Sequence, residues 1–575
     1  MKRVIGIGKQ DFEKIRTNNN FYIDKTDFIR EWWETDDEVT LITRPRRFGK
    51  TLNMSMLEKF FSVRYAGRCE LFEGLSIWQI EKYRRLQGTY PVINLSFANV
   101  KEADPEGMKR SVKRIIEDIY NKSTFLLEGG LLTENEKAYF HSVNCDMEDI
   151  EATWTLHKMS DFLSRYYGRK VIILLDEYDT PMQEAYVNGY WKEMSDFIRS
   201  LFNSTFKTNP YLERAVMTGV TRVSKESIFS DLNNLEVVTT TSGKYADSFG
   251  FTEEEVFASL EEYGLSGQEE LIRKWYDGFT FGETADIYNP WSVINFLDKK
   301  KAGTYWANTS SNSLVSKLIR EGDLEIKKTF ERLMQGKTIC MEIDEQIIYD
   351  QLPVKRNAIW SLLLASGYLK VKKHQAYATE YGDWKEEYEL ELTNFETRVM
   401  FIGMVRGWFA PVLGDYNDFI SALLAADVKA MNVYMNKVSS EIFSSFDTGN
   451  RPSERQPERF YHGFVLGLMV ELADRYTITS NRESGFGRYD IMLEPRNTEY
   501  DAVILEFKVQ DEEEKELSDT VQDALRQIEE KGYQANLTAN GIPKERIRKY
   551  GFAFCGKRVL IGGGSANTVD DCRRC

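Results

Sequence analysis

Proline, long apolar runs and a leader-like N-terminus are all lacking in this chain of 575 residues. Only 12 prolines are present, about 2% of the chain where proteins average about 5%, which argues against long disordered linkers. No uncharged apolar run approaches the roughly 20 residues that a transmembrane helix needs. The first residues also lack the apolar core of a signal peptide. We therefore expect a globular, cytoplasmic protein that does not enter a membrane.

Histidine and paired cysteines are equally scarce. The chain has 4 histidines and 6 cysteines, and Cys572 and Cys575 are the pair with metal-binding spacing. No second pair and no nearby histidine accompany them, so a zinc site is not expected. Free thiols in a reducing compartment are the simpler interpretation.

Positive charge is in deficit, because the formal net charge is −15. A large nonspecific nucleic-acid footprint needs a basic surface, so this balance argues mildly against one. It does not exclude a nuclease, whose site carries acids, and the local cluster of Arg44, Arg46 and Arg47 is able to act despite the global sign.

A phosphate-binding loop runs from Arg44 to Thr51. An apolar strand-like run, Thr40–Thr43, precedes it, and a segment of helical spacing, Leu52–Phe61, follows. In this setting backbone N–H groups cradle phosphates, with Lys50 at the β- and γ-phosphates and the Thr51 hydroxyl on Mg²⁺. The predicted nucleotide-binding residues of the loop are Arg47, Phe48, Gly49, Lys50 and Thr51.

Arg44 stands where such a loop ordinarily has its first glycine. Either the turn needs no positive φ at that point, or the loop is distorted. The sequence therefore has to supply the second half of an ATPase site independently.

That second half is Asp176-Glu177, which follows the apolar run Val171–Leu175. Such a run predicts a buried parallel strand that delivers carboxylates at its tip. Asp176 is then a Mg²⁺ ligand with Thr51, and Glu177 polarises the attacking water. We expect these acids and Gly49–Thr51 at adjacent strand tips. Taken alone, Gly49-Lys50-Thr51 has chance occurrence as its alternative, and Asp176-Glu177 has a surface turn.

Residues 1–235 alternate strand-like and helix-like patterns, which predicts a parallel sheet flanked by helices. Val92–Phe97 and Arg214–Gly219 are further core strands. Thr218, at the tip of the latter, either senses the γ-phosphate or caps the following turn. Arg222 either reaches a phosphate or is a solvated surface residue.

The middle of the chain has two predicted parts. Residues 236–330 form a helical lid, in which Thr252 and Glu255 have the capping-box spacing. Residues 331–455 form a winged-helix-like region, with a helix at 359–364 and strands at 368–372 and 388–392, and a helical connector. Their mixed charge favours packing on the lid over DNA binding. The polar stretch Asn450–Pro457 is the predicted boundary to the last domain.

A second chemistry follows that boundary. The predicted element order is α-β-β-β-α-β, and it opens with the apolar helix Phe460–Asp474. Asp490 lies on the second strand and Glu506 and Lys508 on the third. Glu506 and Lys508 are two residues apart on a strand, so both side chains project to one face. Asp490 and Glu506 are predicted to bind Mg²⁺ or Mn²⁺, and Lys508 to position or activate the nucleophile. A buried Glu–Lys ion pair is the alternative.

The first 310 residues or so resemble the AAA-ATPase-like family of bacterial proteins. The family carries arginine at the first loop position, so Arg44 does not count against ATP binding. The matching strings are Phe21-Tyr22-Ile23-Asp24-Lys25-Thr26, Arg44–Thr51, Leu174-Leu175-Asp176-Glu177-Tyr178-Asp179, Thr218–Ser224, Ser230–Leu235, Trp275–Phe279 and Tyr288–Ser292.

Residues 456–562 look like the core of a PD-(D/E)xK nuclease. Glu483 and Gln527 stand at positions resembling that family's additional acid and helix glutamine. Tyr489 replaces the proline of the motif's name. Residues 563–575 are expected to be a disordered tail.

Together these features predict an α/β protein with a P-loop parallel sheet, a helical lid, a winged-helix-like middle and a nuclease-like α/β domain. We expect ATP and Mg²⁺ as cofactors, with Mn²⁺ as an alternative metal at the nuclease site. We also expect nucleic acid as partner, DNA over RNA, and nuclease access gated by nucleotide state, with oligomerisation left open. The alternative is a nucleotide-switched interaction or regulatory protein with an inactive nuclease-fold scaffold.

Overall fold

The structure is a computed structural model. It describes residues 2–222, 228–229, 232–307, 313–322, 324–344, 357–378, 382–409, 417–446, 465, 469, 472, 475–484, 487–497, 500–510, 514, 516–555 and 558–564. The predicted boundary at 450–457, most of the predicted helix Phe460–Asp474 and the tail from 565 lie outside these residues. The chain divides into two compact units, Met1–Met400 and Phe401–Cys575.

The helices of the first unit frame its sheets. In chain order they are α1 Phe12–Thr17, α2 Asp27–Thr35, α3 Lys50–Phe61, α4 Glu81–Leu86, α5 Pro105–Asn121, α6 Glu134–Ser142, α7 Asp149–Tyr167, α8 Thr180–Asn188, α9 Trp191–Phe206, α10 Glu253–Tyr263, α11 Glu269–Tyr276, α12 Pro290–Lys299, α13 Ser313–Glu321, α14 Leu324–Met334, α15 Ala358–Ala365 and α16 Phe395–Phe409, within which the division between the units falls.

The main sheet of this unit is parallel, as predicted. Its strands are β1 Val39–Thr43, β2 Val92–Ser96, β3 Val171–Asp176, β4 Leu212–Gly219 and β5 Leu235–Val238, in the order β2-β3-β4-β1-β5. Every residue of β1 and β3 is buried, as expected for parallel strands covered on both faces. The prediction of adjacent tips for β1 and β3 is wrong, because β4 pairs with both and lies between them.

The segment predicted as a purely helical lid also contains strands. β5 continues past the predicted boundary at 235, and β6 Phe251–Thr252, β7 Phe279–Phe281 and β8 Thr284–Tyr288 form an antiparallel sheet in the order β6-β8-β7. Strands of two to five residues carry too little alternation to stand out in a sequence. The predicted capping box of Thr252 and Glu255 is confirmed at the start of α10.

The winged-helix-like region has the predicted helix and strands. α15 is followed by the antiparallel pair β10 Leu369–Ala378 and β11 Trp384–Leu392, and β9 Ile339–Met341 adds to β11. The helix and both strands predicted at 359–372 and 388–392 are therefore confirmed.

The second unit is built on a mixed sheet. Its strands are β12 Tyr476–Ser484, β13 Gly487–Pro495, β14 Ala502–Val509, β15 Ile547–Cys555 and β16 Arg558–Gly564, in chain order across the sheet. β14 and β15 are parallel and the other pairs antiparallel. The helices are α17 Asn417–Leu424, α18 Val428–Phe446, α19 Leu517–Glu530 and α20 Ala535–Ala539.

The prediction that 401–455 is a connector is wrong for α17 and α18. Their buried side chains, among them Leu423 and Met435, share one core with strand residues such as Leu505 and Phe552. Asn432 also exchanges two hydrogen bonds of 2.8 Å with the main chain of β16. These helices cover one face of the sheet, so their apolar stripe belongs to the domain core. β16 was not predicted, and it includes residues 563–564 of the expected tail.

Along the described ranges, no helix is both long enough and apolar enough to span a bilayer. The four cysteines in those ranges, Cys69, Cys145, Cys340 and Cys555, are free thiols, as predicted.

Candidate functional site

The phosphate loop turns through two left-handed residues. Gly49 has φ 81° at the N-terminus of α3, and Arg47 has φ 67°. Glycine adopts this conformation without strain, whereas arginine does so uncommonly. Arg44 is not among the residues with positive φ. The first of the two alternatives for Arg44 is therefore correct, since the turn requires no glycine there.

The Arg44 side chain is fully buried beneath the loop. Its guanidinium donates to the carbonyls of Thr239 at 2.6 Å and Lys244 at 3.0 Å and lies 4.4 Å from the Phe281 ring centroid. Burial lowers the pKa of Arg44 to about 9, so the group remains charged at neutral pH. The expectation that Arg44 contributes to a cluster able to act on nucleic acid is wrong, because no part of it reaches solvent.

The neighbouring loop side chains point in other directions. Arg47 is exposed, with its guanidinium 4.6 Å from the Trp291 ring centroid. Phe48 is buried against the antiparallel sheet β6-β8-β7, with its ring centroid 4.7 Å from that of Phe279. The loop is therefore packed against β7 and the first turn of α12.

Lys50 is turned onto its own loop. Its ammonium donates to the carbonyls of Arg44 and Pro45, both at 3.0 Å, and the residue is 4% exposed. The charge therefore already sits at the centre of the loop, where a phosphate group would offer stronger, charged acceptors.

Asp176 lies between two threonine hydroxyls. Thr51 Oγ1 donates to one carboxylate oxygen at 2.7 Å, and Thr218 Oγ1 donates to the other. Burial and the nearby Glu177 raise the pKa of Asp176, while both hydroxyls and Lys50 lower it. The interposed strand β4 thus brings Thr218 to the predicted Mg²⁺ ligands Thr51 and Asp176. Neither alternative for Thr218 anticipated this contact.

Glu177 follows at φ 55° and is half-buried. The backbone therefore turns sharply at Glu177, directly after the end of β3. Arg222 is half-buried beyond the end of β4, and residues 223–227 after it lie outside the described ranges.

Asp179 is a buried carboxylate to which the sequence analysis assigned no role. One of its oxygens accepts from the backbone N–H groups of Val220 at 3.0 Å and Thr221 at 2.9 Å, and from Gln183 Nε2 at 2.8 Å. Burial, then the charge of Glu177, raises the pKa of Asp179. Asp179 thereby ties the turn after β3 to the end of β4. Its position in Leu174–Asp179, one of the strings that match the family, was the feature of the sequence that could have indicated a role.

The carboxylates of the second unit meet on neighbouring strands. Ile491 pairs with Leu505, and extending that antiparallel register by one residue sets Asp490 opposite Glu506. Asp490 Oδ2 accepts from the Phe507 N–H at 2.7 Å. Burial raises the pKa of Asp490 to about 6, and this hydrogen bond lowers it.

Glu506 is 3% exposed and faces α19. Gln527 Nε2 donates to Glu506 Oε1 and, at 3.0 Å, to Tyr533 Oη. Gln527 therefore reaches the predicted acid, whereas the role of Tyr533 was missed. Lys508 is half-buried two residues further along β14. The side chain of Glu483 lies outside the described residues.

The donor chemistry suits hard cations at both places. Asp490 and Glu506 supply carboxylate oxygens, as do Asp176 and the Thr51 hydroxyl, and Mg²⁺ is commonly held by one or two carboxylates with water completing its shell. Within the described ranges, no three His, Cys, Asp or Glu side chains converge as a metal cluster. Oxygen donors without histidine or thiolate match Mg²⁺ or Mn²⁺ better than zinc.

Two family models match this chain. Residues 6–229 match the AAA-ATPase-like family, whose description is predicted AAA-ATPase. Residues 456–563 match the PD-(D/E)XK nuclease superfamily. The chain carries an AAA-ATPase-like domain followed by a PD-(D/E)XK nuclease superfamily domain. The nuclease match begins after α17 and α18, which nevertheless pack on that domain's sheet.

The two-domain arrangement extends to a relative. A protein described as an uncharacterized protein in the vnfD 5′ region of Azotobacter chroococcum mcd 1 is 26% identical over 557 residues. The alignment covers 94% of this chain and 95% of that protein, so the likeness spans both the AAA-ATPase-like and the nuclease superfamily domains.

Proposed function

We propose that the protein binds and hydrolyses ATP in its first domain and cleaves phosphodiester bonds of nucleic acid in its second. The observation that carries the proposal is the convergence of Thr51, Asp176 and Thr218 beside Lys50. Two strands, β3 and β4, and the N-terminus of α3 supply this cluster, and a purely structural role does not require a lysine buried among loop carbonyls.

In the ATPase reaction Lys50 would exchange the Arg44 and Pro45 carbonyls for phosphate oxygens. Thr51 and Asp176 would hold Mg²⁺, which neutralises charge on the transferred phosphoryl group. Glu177 would accept a hydrogen bond from water and orient it for attack. Thr218 would keep Asp176 in place.

In the nuclease reaction Asp490 and Glu506 would hold Mg²⁺ or Mn²⁺, which lowers the pKa of bound water and stabilises charge on the scissile phosphate. Gln527 and Tyr533 would fix the Glu506 carboxylate, and Lys508 would position the nucleophile. DNA is the first substrate to test and RNA the second.

The ATPase half is tested by single substitutions in the full-length protein. Lys50→Ala should abolish ATP binding, and Glu177→Gln should keep binding but lower kcat by about 10²- to 10⁴-fold, the range for losing a general base. Glu184→Gln, a half-buried acid on α8, is the matched control and should keep full turnover. Normal hydrolysis in Glu177→Gln would remove the role assigned to Glu177.

The nuclease half is tested with single- and double-stranded DNA and RNA, with Mg²⁺ or Mn²⁺, and with and without ATP. Cleavage should disappear in Glu506→Gln and persist in Glu494→Gln, a half-buried acid on β13. ATP turnover without cleavage of any nucleic acid would instead support a nucleotide-switched interaction protein with a scaffold domain.

A further inference from the structure

The peptide between Arg46 and Arg47 lies at the most constrained point of the phosphate loop. Arg47 has φ 67°, a left-handed conformation that is disfavoured about 5- to 30-fold for residues other than glycine. The loop carries a proline, Pro45, and no glycine before Gly49, so its own sequence does not favour this turn. A contact from outside the loop is therefore expected to hold Arg47 in its conformation.

Asn289, the residue directly before α12, makes such a contact. Its Nδ2 donates to the Arg46 carbonyl at 3.2 Å. The peptide between Arg46 and Arg47 is trans, and in a trans peptide the carbonyl and the following N–H point in opposite directions. Holding the Arg46 carbonyl therefore directs the Arg47 N–H away from Asn289.

The orientation of the Asn289 amide is fixed by the helix that follows it. Its Oδ1 accepts from the N–H groups of Trp291 at 3.0 Å and Ser292 at 3.3 Å, which caps α12. Because two donors face Oδ1, the donor Nδ2 is left to face the loop. Trp291 adds a second contact, since its ring centroid lies 4.6 Å from the Arg47 guanidinium.

The N-terminus of α12 is itself anchored by a buried carboxylate. Ser292 Oγ donates to Glu396 Oε2 at 2.7 Å. The other oxygen of Glu396 accepts from the N–H groups of Tyr305 at 2.5 Å and Trp306 at 2.7 Å, and the residue is fully buried. Asn289 is therefore held in place by contacts that do not involve the phosphate loop.

We propose that Asn289 is a positioning residue for nucleotide binding, which keeps Arg47 left-handed and presents the Arg47 N–H to the phosphates. The proposal rests on the proposed function of the phosphate loop. It gives a role to Tyr288–Ser292, a family-matching string that the proposed function leaves unused. Because the protein orients the N–H, a phosphate group does not have to order it on binding, which favours affinity.

The test compares Asn289→Ser with wild type in calorimetric titrations of the full-length protein with ATP and with inorganic tripolyphosphate, both in Mg²⁺. Serine still caps α12 but is too short to reach the Arg46 carbonyl. Arg47 then returns to its preferred conformations, so both ligands should bind about 5- to 30-fold more weakly.

Asn295→Ser is the matched control. Asn295 is a buried asparagine of the same helix, and its Nδ2 donates to the Trp291 carbonyl at 2.8 Å. This variant loses a helix hydrogen bond of the same kind without touching the loop, so it should bind both ligands as wild type does.

A second background separates positioning from support of the fold. Glycine adopts left-handed and right-handed φ about equally, so Arg47→Gly should keep about half of its population in the competent conformation without Asn289. In that background Asn289→Ser should weaken either ligand by less than about threefold. A loss of equal size in both backgrounds would show that Asn289 only supports the fold, and it would overturn the proposal.

Two further results are decisive. Unchanged affinity for ATP and tripolyphosphate in Asn289→Ser would refute the role of Asn289, whereas a wild-type protein that binds neither ligand would contradict the ATPase proposal itself. If Asn289→Ser unfolds at a lower temperature than Asn295→Ser, Asn289→Thr replaces it, because threonine also caps helices and fills more of the space. It should show the same loss and the same dependence on Arg47.

Discussion

Asp490→Asn should stabilise the folded protein while abolishing nuclease activity. Burial raises the pKa of the Asp490 carboxyl to about 6 from an ordinary 3.8, so the ionised group is held in the fold at a cost. Asparagine keeps an oxygen that can accept from the Phe507 N–H. The substitution therefore removes the charge and leaves the hydrogen bond.

The magnitude follows from the two pKa values. A folded pKa about two pH units above the unfolded one corresponds to about 3 kcal/mol of unfolding free energy, at 1.36 kcal/mol per unit. Because the folded pKa is raised, the stabilising contribution is complete below pH 3.8 and is lost as pH rises through 6. At pH 8 wild type should thus be less stable than Asp490→Asn by about 3 kcal/mol, and at pH 4.5 by about 1 kcal/mol.

Differential scanning calorimetry of the full-length protein in EDTA measures this difference. At 2–4 °C per kcal/mol, the transition of the second unit should rise by roughly 6–12 °C at pH 8 and by much less at pH 4.5. Asp418→Asn, an exposed residue on α17, should change stability by less than about 0.5 kcal/mol. A variant no more stable than wild type at pH 8, or a gain independent of pH, would refute the reasoning.

Three further outcomes are expected. Asn432→Ala should lower the free energy of unfolding of the second unit by about 1–3 kcal/mol in urea, because it leaves an N–H and a carbonyl of β16 without their partners. The control Lys429→Ala, at an exposed residue of the same helix, should lower it by less than about 0.5 kcal/mol. Tyr533→Phe should lower the cleavage rate several-fold. Without metal, its free energy of unfolding should change by no more than about 1.5 kcal/mol, the value of one hydrogen bond. An unchanged rate would show that Tyr533 has no role in the site. The nuclease rate of Glu177→Gln should differ between ATP, ADP and no nucleotide. If ATP binds one of two arrangements of the protein about 10²-fold more tightly than the other, it shifts their equilibrium by nearly 3 kcal/mol. Equal rates with an active nuclease would show that the two chemistries merely share a chain.

The parts of the fold that are encoded locally were predictable. β1 and β3 follow from runs of apolar residues, and the start of α10 follows from the capping box at Thr252. Strand order was not predictable in the same way, because the position of β4 between β1 and β3 depends on crossover connections that no short window contains. The helices α17 and α18 were visible as helices, but their apolar faces do not say which sheet they cover.

The same distinction holds for the candidate sites. Gly49, Lys50 and Thr51 are consecutive in the sequence, so their proximity needs no tertiary information. Asp179 was missed because its partners Val220 and Thr221 are 41 and 42 residues away along the chain. Tyr533 was missed for a similar reason, since its link to Glu506 passes through Gln527 on α19, which is 21 residues from Glu506 along the chain.

The buried Arg44 has a consequence for the substitutions that the lineage of this protein can accept. Glycine at this position would restore the ordinary phosphate-loop pattern, but it would also strip donors from the carbonyls of Thr239 and Lys244 and leave space beneath the Phe281 ring. Each unsatisfied buried carbonyl costs about 1–3 kcal/mol, so this reversal would be harmful on its own. It becomes neutral only if residues 239–245 change course at the same time. Arginine at the head of the loop and the path of that segment are therefore expected to be inherited together or lost together.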